Sequence, residues 1–266
     1  MRVLYLQNGT PKTKGVGMAQ QSVGNLRVRD LPIAANVCGQ VLREVEKNPA
    51  WTMAHVTMNP MAASLLHRHD RTTEIYIVTR GSGELLLSGN GRSHSSHQVT
   101  AGSVCEIPRG FSHKLQNSGG GHLEHLVFAL PQFDPNDVHL LDEKDRLEGG
   151  SHPLFFPEVE DCFDGAKILP YSFPHLGLSI AFGWVSSDPE KRKRPHYHNK
   201  TTEWVYVVGG RGFVQLGKTQ LAIQPGDWIR IDPDTDHAFL NDQPEDLVVV
   251  CVCSPAFNMD DVLYQD

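Results

Sequence analysis

The stretch that decides the fold is "LHRHDRTTEIYIVTRG", from Leu66 to Gly81, which places two histidines and a glutamate at the start of an apolar run. A related stretch, "PHYHNKTTEWVYVVGG", runs from Pro195 to Gly210. In both stretches one residue separates the two histidines, so on a strand their imidazoles project from the same face. The sequence therefore predicts two copies of one polar site.

The two stretches belong to a longer internal repeat. His67 and His196 lie 129 residues apart, whereas His113 and His237, further along each copy, lie 124 residues apart. The difference indicates a shorter connection in the second copy, which is tolerable if the connection is a surface hairpin. The chain is therefore predicted to contain two similar units.

Both copies are typical of short strands rather than helices. Runs such as "EIYIVTRG" and "EWVYVVGG" are rich in β-branched and aromatic residues and are punctuated by Gly, Pro, Asn and Asp. We predict an all-β fold with a sandwich or closed barrel in each half, because closure removes exposed strand edges. The expected units are an N-terminal arm that packs on the barrels (residues 1–50), a first barrel domain (51–150) and a second one (151–266).

One segment between the halves has a helical pattern. It is "PNDVHLLDEKDRLEGG", residues 135–150, in which Asn136 or Asp137 is a suitable cap and Gly149 a suitable end. We predict a connector helix there, at the end of the first domain.

Composition excludes several classes of protein. Lys and Arg total 24 against 31 Asp and Glu, a net charge of -7, so we expect no nucleic-acid partner. The five cysteines form no C-x-x-C pair, which favours reduced thiols over a disulfide framework. The sequence has neither the apolar core of a signal peptide nor the ~20 apolar residues of a membrane helix. We therefore expect a cytoplasmic protein with no membrane partner.

The histidines and glutamates predict a metal site. Glu74 follows His69 by an odd step of five residues, so "DRTT" must contain a bend that brings the carboxylate to the same side. Two neutral imidazoles and a carboxylate suit iron, manganese, nickel, copper or zinc. A single H-x-H pair lies more often on a solvated face, but its duplication in register with a glutamate favours the metal interpretation.

These motifs resemble those of the cupin superfamily, whose first motif is H-x-H-x(3 or 4)-E-x(6)-G. The second motif, G-x(5)-P-x-G-x(2)-H-x(3)-N, fits "GSVCEIPRGFSHKLQN" (102–117) at every fixed position. Its counterpart "GDWIRIDPDTDHAFLN" (226–241) has Asp232 and Asp234 in place of Pro and Gly, so we expect that turn to be built differently. The chain thus resembles a bicupin, which implies two tandem double-stranded β-helix barrels.

The resemblance also implies a metal inside each barrel. Residues at the ligand positions of the family are His67, His69, Glu74 and His113 in the first copy and His196, His198, Glu203 and His237 in the second. It implies up to two ions per chain, with iron(II) favoured, followed by manganese(II), nickel(II) or zinc(II). Because four ligands leave about two positions of an octahedral ion open, such sites are catalytic rather than structural.

For function, the resemblance favours a metal-dependent enzyme acting on a small polar organic substrate. We expect a non-haem iron(II) dioxygenase or a related oxidoreductase first. The alternatives are a metal-dependent isomerase, epimerase or lyase, and, in another class, a ligand-binding bicupin without catalysis.

Residues that differ between the two copies are weaker candidates for catalytic or substrate-binding roles. If they face the metals, His55, Glu106 and Arg230 are candidate catalytic groups and Trp184 is a candidate substrate-binding wall; packing or surface positions are the alternatives. Arg194, in the basic run "EKRKRPHYH", would attract an anionic small-molecule substrate to the second barrel, although solvated loops commonly contain such runs. The second barrel is the favoured catalytic one, and a homodimer is the candidate assembly.

Overall fold

The computed structural model describes residues 25–36, 40–89, 95–142, 157–191 and 195–264. Within these ranges the chain forms 22 strands, short 3-10 turns and no α-helix. None of the helical segments described there is long and apolar enough to cross a membrane. The strands build two jelly-roll barrels, so the predicted all-β fold with two tandem barrels is confirmed.

The first barrel, barrel one, consists of two five-stranded antiparallel sheets that enclose an apolar core. Their strand orders are β2-β3-β10-β5-β8 and β11-β4-β9-β6-β7. The strands are β2 (Val41–Lys47), β3 (Thr52–Met58), β4 (His67–His69), β5 (Thr73–Arg80), β6 (Ser82–Gly89), β7 (Ser95–Thr100), β8 (Val104–Ile107), β9 (Phe111–Asn117), β10 (Leu123–Leu130) and β11 (Val138–Leu140).

The second barrel, barrel two, packs a seven-stranded sheet against smaller sheets of three and two strands. The orders are β1-β19-β16-β21-β14-β13-β12, β18-β17-β20 and β15-β22. The strands are β1 (Leu26–Arg27), β12 (Glu160–Asp161), β13 (Lys167–Phe173), β14 (Leu178–Val185), β15 (Tyr197–His198), β16 (Thr202–Gly209), β17 (Gly212–Leu216), β18 (Thr219–Ile223), β19 (Asp227–Ile231), β20 (His237–Leu240), β21 (Leu247–Ser254) and β22 (Val262–Leu263).

The short 3-10 turns connect these strands. They span Val28–Asp30, Pro135–Asp137, Pro174–Leu176, Pro189–Lys191 and Met259–Asp261.

A third apolar cluster, the interbarrel core, lies between the barrels and takes side chains from both of them. On β5, Tyr76 packs inside barrel one, whereas its neighbours Ile75 and Ile77 belong to the interbarrel core. Trp204 and Trp228 enter the same core from barrel two. Because side chains alternate along a strand, each of these strands has one face inside its barrel and one face toward the other barrel.

The N-terminal segment contributes an edge strand to each barrel. Strand β1 pairs with β19 of barrel two, and β2 pairs with β3 of barrel one. On β2 the carboxylate of Glu46 accepts a hydrogen bond from the indole N–H of Trp204 and another from that of Trp228, each at 3.0 Å. A residue of barrel one thus binds the indole groups of two tryptophans of barrel two.

The predicted connector helix is wrong over the described residues. Pro135–Asp137 is a single 3-10 turn and Val138–Leu140 is strand β11, which pairs with β4. The Asp137 side chain accepts hydrogen bonds from backbone N–H groups more than sixty residues away, and these tertiary bonds override the local helical pattern. The rest of the predicted helix, 143–150, lies outside the described residues.

We expect Glu46→Ala to lower the free energy of unfolding by about 2–4 kcal/mol, because it leaves two buried indole N–H groups without their charged acceptor. The exposed neighbour Glu44, replaced by Ala, is the matched control and should change it by less than about 0.5 kcal/mol. Urea unfolding followed by tryptophan fluorescence measures both. Equal effects of the two substitutions would show that the Glu46 bonds do not stabilise the fold.

Candidate metal centres

In barrel one the backbone register brings the histidines together. His67 and His69 lie two residues apart on β4, and His113 on β9 is the direct cross-strand partner of His67. Glu74 lies near the start of β5. The donor atoms of these four buried residues all lie within 4.8 Å of one another.

The side-chain contacts of this set, centre one, are short. The ring of His67 lies 4.1 Å from that of His113 and 5.2 Å from that of His69, measured between centroids. Glu74 Oε2 lies 3.0 Å from His113 Nε2, and Glu74 Oε1 lies 3.5 Å from His69 Nε2. The four side chains therefore surround one point inside the barrel.

Barrel two repeats the arrangement in centre two. His196 and His237 exchange both backbone N–H···O hydrogen bonds, and their rings lie 4.3 Å apart. The donors of His196, His198 and His237 lie within 4.8 Å of one another. Glu203 is not in that mutually close set, but its Oε2 lies 3.2 Å from His237 Nε2 and 3.5 Å from His198 Nε2.

Backbone carbonyls orient the imidazoles. The Nδ1 atom of His67 lies 2.8 Å from the Leu65 carbonyl oxygen, and that of His237 lies 2.9 Å from the Thr235 carbonyl oxygen. A carbonyl oxygen only accepts hydrogen bonds, so in each ring Nδ1 carries the proton and donates. The Nε2 lone pair is therefore available at the centre.

Electrostatics keep two of the histidines and one of the glutamates in the state that binds metal. Burial, together with the neighbouring histidines, lowers the pKa of His67 and of His196 to about 3. Burial alone would raise the pKa of Glu74, but contact with His113 and the nearby histidine charges outweigh it and lower the pKa to about 2. At neutral pH these imidazoles are neutral and the carboxylate is ionised, as metal ligation requires.

The donors fit a first-row metal ion. Within the described part of the chain, both ring nitrogens of His69, Glu74 Oε2 and His113 Nε2 are buried and have no hydrogen bond of good geometry. Buried polar atoms are normally satisfied, and a cation at the common point would satisfy His69 Nε2, Glu74 Oε2 and His113 Nε2, whereas His69 Nδ1 faces Asp137. Ligands at about 2.1 Å from one ion lie about 3–4 Å apart, a spacing that these donors reach with little movement.

The bend predicted in "DRTT" is present, and an aspartate from the far end of each copy forms it. Asp137 accepts hydrogen bonds from the backbone N–H groups of Asp70, Arg71 and Thr72 at 3.0–3.2 Å. Its Oδ2 also lies 3.9 Å from Nδ1 of His69. The carboxylate thus shapes the loop between the second histidine and the glutamate.

Asp261 does the same in barrel two, where it accepts from the backbone N–H groups of Lys200 and Thr201. The sequence pattern predicts a helix cap at Asp137 and does not predict this role. The available signal was the repeat itself, in which Asp137 and Asp261 are 124 residues apart, like His113 and His237.

The expectation that the second barrel builds a different turn before its third histidine is wrong. Gly110 has a φ of 83° and Asp234 has a φ of 61°. Gly110 N–H donates to the His69 carbonyl at 2.6 Å, and Asp234 N–H donates to the His198 carbonyl at 2.7 Å. Aspartate tolerates the left-handed region better than most residues, so both sequences form the same turn.

Two weak candidates in barrel one face away from centre one. The His55 ring lies 5.7 Å from the ring of Tyr206 in barrel two, and Glu106 contacts His175 of barrel two at 2.8 Å. The reason is alternation: the neighbours of Glu106, Cys105 and Ile107, are the residues that point into the barrel. His55 and Glu106 therefore occupy packing and surface positions, and the structure does not support catalytic roles for them at centre one.

The described weak candidates in barrel two also face away from their metal centre. Trp184 packs against the interbarrel core beside Phe182, and Arg230 is exposed, with its Nε 2.7 Å from Asp232. Both side chains lie on the outer faces of strands whose inner faces line barrel two. Arg194 lies outside the described residues.

Centre two opens into a cavity of about 480 Å³ that touches all four of its predicted ligands. Its wall is mainly apolar: the Phe163 ring lies 4.8 Å from that of His196, and the Phe257 ring lies 6.0 Å from that of His198. The described residues that line it include three cysteines and no arginine or lysine. This cavity can hold an organic molecule much larger than water beside the donor set.

Comparisons with known proteins agree with this geometry. A family model described as cupin matches residues 44–141, and one described as a cupin domain matches residues 183–253. An oxalate-binding protein of Thermotoga maritima is 32% identical over 88 residues, which are 33% of this chain and 69% of that protein. The chain belongs to the cupin superfamily. An uncharacterized protein of Methanocaldococcus jannaschii is 26% identical over 109 residues, 39% of this cupin chain and 83% of that protein.

Solved structures with the same fold include oxalate decarboxylase of Bacillus subtilis. Its structure at pH 4.6 has a TM-score of 0.65 at 17% identity and covers 88% of this chain and 77% of its own. A second structure of that enzyme, from work on its Mn(II) centres, has a TM-score of 0.66 at 17% identity and covers 88% and 78%. At this level of identity the similarity establishes the cupin fold alone.

We expect purified protein, prepared without chelator or polyhistidine tag, to hold close to two equivalents of divalent metal per chain. His67→Ala and His196→Ala should each reduce this to about one, because each removes a ligand from a different centre. Elemental analysis after reconstitution with iron(II) or manganese(II) measures the stoichiometry. Wild-type protein that stays near zero would exclude both metal centres.

Asp261→Ala should weaken metal binding at centre two by about 10–100-fold, since it frees the loop that sets His198 relative to Glu203. Its exposed neighbour Asp260, replaced by Ala, should leave the affinity unchanged. Competition with a chromogenic chelator, in a His67→Ala background that isolates centre two, gives both constants. Equal affinities would mean that Asp261 does not position the ligands.

Proposed function

We propose that this protein is a bicupin enzyme with a divalent metal in each barrel and its active site at centre two. The observation that carries the proposal is the cavity of about 480 Å³ that opens directly onto His196, His198, Glu203 and His237. A predominantly apolar cavity with a few converging polar groups is the usual form of a small-molecule site. Both centres share the donor set, but the rings of Tyr76 and His125 pack beside His113 at centre one, whereas a cavity opens onto centre two.

The residues of centre two have separate tasks in this proposal. His196, His198 and His237 supply nitrogen donors, and Glu203 supplies a carboxylate, whose pKa lies well below its usual range because contacts with His198 and His237 outweigh burial. A divalent metal held by such a set provides Lewis-acid or redox chemistry at its open positions. The stacked rings of Phe163 and Phe257 give the cavity an apolar surface on which a nonpolar part of the substrate can pack.

The lining also limits the substrate. Among the described residues, the wall has no arginine or lysine and has the carboxylates Glu160 and Asp164, so the ion at centre two would have to balance the negative charge of a bound anion. We infer an organic acid or enol with one chelating polar end and an apolar body against Phe163 and Phe257. This substrate is less polar than the one expected from the sequence.

For reaction class we infer oxygen-dependent oxidation, a dioxygenase or related activity with iron(II) as the first metal. Support comes from the three-histidine, one-carboxylate donor set, which suits iron(II), and from a cavity large enough for a substrate and dioxygen together. Isomerase, epimerase or lyase activity is the alternative. It would use the same centre but would not require oxygen.

Decarboxylation with manganese(II) is the second candidate, favoured by the name of the Thermotoga maritima relative and by the cupin fold shared with oxalate decarboxylase. Oxalate would occupy little of the cavity and would bring two negative charges to a wall without described cationic side chains. That mismatch places decarboxylation of oxalate second.

A screen decides between these candidates. Iron(II)- and manganese(II)-loaded protein is incubated with oxalate and with aromatic and enolic acids, in air and in an anaerobic chamber, and products are followed by mass spectrometry. We expect an oxygen-dependent product from an acid with an apolar body, lost in His196→Ala and retained in His67→Ala.

Full-rate turnover without oxygen and with zinc in place of iron would replace the dioxygenase proposal by Lewis-acid chemistry. Conversion of oxalate to formate and carbon dioxide would establish the decarboxylase. Binding of the acids without any product would instead favour a ligand-binding bicupin.

A further inference from the structure

A second large cavity, the interbarrel cleft, has a volume of about 580 Å³ and contains none of the predicted metal ligands. Its walls come from β2, β3, β5 and β10 of barrel one, from β16 of barrel two and from the turn before β19. The volume lies within the usual range of about 300–1,000 Å³ for small-molecule sites. The cleft is therefore large enough for a small organic ligand.

The barrel-one wall of the cleft is a row of polar side chains on adjacent strands. Arg43 on β2 is the cross-strand partner of His55 on β3. Thr57, two residues further along β3, is opposite Glu124 on β10, and Glu124 is opposite Arg80 on β5. Cross-strand partners project from the same face at a separation of about 5 Å, so these groups can contact one ligand together.

Two of these groups hold buried nitrogen atoms that form no hydrogen bond of good geometry with the described residues. His55 is only 6% exposed, and neither ring nitrogen has a hydrogen bond among the described residues; its Nε2 approaches Glu124 Oε2 to 3.4 Å. The buried Nε of Arg43 likewise has no hydrogen bond there. Tyr206, 5% exposed, lines the opposite wall. Unsatisfied buried donors are rare in folded proteins and indicate a ligand that accepts hydrogen bonds.

The charge of the cleft favours an anion. Three guanidinium groups, those of Arg29, Arg43 and Arg80, line it, and Glu124 is the single carboxylate among the described lining residues. Arg80 is paired with Glu124 at 3.3 Å, and Arg29 lies 3.7 Å from Asp30, so Arg43 is the guanidinium of the cleft that has no carboxylate partner among the described residues. The protein as a whole has a net charge of -7, so this local excess of positive charge is not a general property of its surface.

From the unsatisfied donors and the unpaired Arg43 guanidinium we propose that the interbarrel cleft binds a small anion carrying a carboxylate or phosphate group. The Arg43 guanidinium would pair with one anionic group in a fork, and His55 and Tyr206 would donate hydrogen bonds to it or to a neighbouring oxygen. This site is independent of the metal centres and of the reaction proposed at centre two. Because both barrels form it, its ligand would also join them.

Isothermal titration of the metal-loaded protein with succinate and, separately, with inorganic phosphate tests the proposal and shows which of the two anionic groups is preferred. We expect saturable binding of at least one of them, with one equivalent per chain. Arg43→Gln should weaken it at least about tenfold, because a charge-assisted fork is lost. Tyr206→Phe should weaken it less, and Arg230→Gln, a surface arginine outside the cleft, should leave it unchanged.

His196→Ala distinguishes the cleft from centre two. Binding that survives His196→Ala and is lost in Arg43→Gln assigns the anion to the cleft, whereas the reverse pattern assigns it to the metal and overturns the proposal. Absence of saturable heat with either anion up to about 20 mM would also overturn it. A thermal melt of each variant verifies that it is folded. If Arg43→Gln is unstable, the affinity of Tyr206→Phe, which retains the aromatic ring, tests the cleft instead.

Discussion

Each barrel concentrates three imidazoles and one carboxylate at one buried point, and much of the local structure serves that convergence. Such groups are costly to bury unless they are neutral, paired or bound to a cation. The first and third histidines of each set are cross-strand neighbours. In barrel two, the backbones of His196 and His237 are hydrogen-bonded to each other. Asp137 and Asp261 then bend the loop that brings each glutamate to the same point.

The interbarrel core explains where the remaining polar groups lie. Strands such as β3 and β5 are apolar on the barrel side and pack against the other barrel on the opposite side. A polar residue on the outer face, such as His55 or Glu106, therefore meets the partner barrel instead of the metal. The same geometry creates the interbarrel cleft, so the contact between the barrels is both a packing surface and a place for polar chemistry.

Sequence analysis predicted the fold and assembled both donor sets, because the repeat fixes residue spacing and an H-x-H pair fixes direction on a strand. It could not assign the side of His55 or Glu106, since strands buried on both faces, such as "EIYIV", show no alternation of polarity. It misjudged Asp137 because that role depends on N–H groups more than sixty residues away. It misjudged Asp234 because the left-handed turn tolerates aspartate as well as glycine.

The repeat also accounts for the space beside centre two. Inside barrel one the rings of Tyr76 and His125 lie 4.9 Å apart, and Tyr76 lies 5.9 Å from the ring of His113. The cross-strand register places Val205 and Val249 at the equivalent positions of barrel two. Two valines fill less volume than a phenol and an imidazole, and Val249 lines the cavity. Two similar donor sets thus have different surroundings, which supports the proposal that the chemistry takes place at centre two.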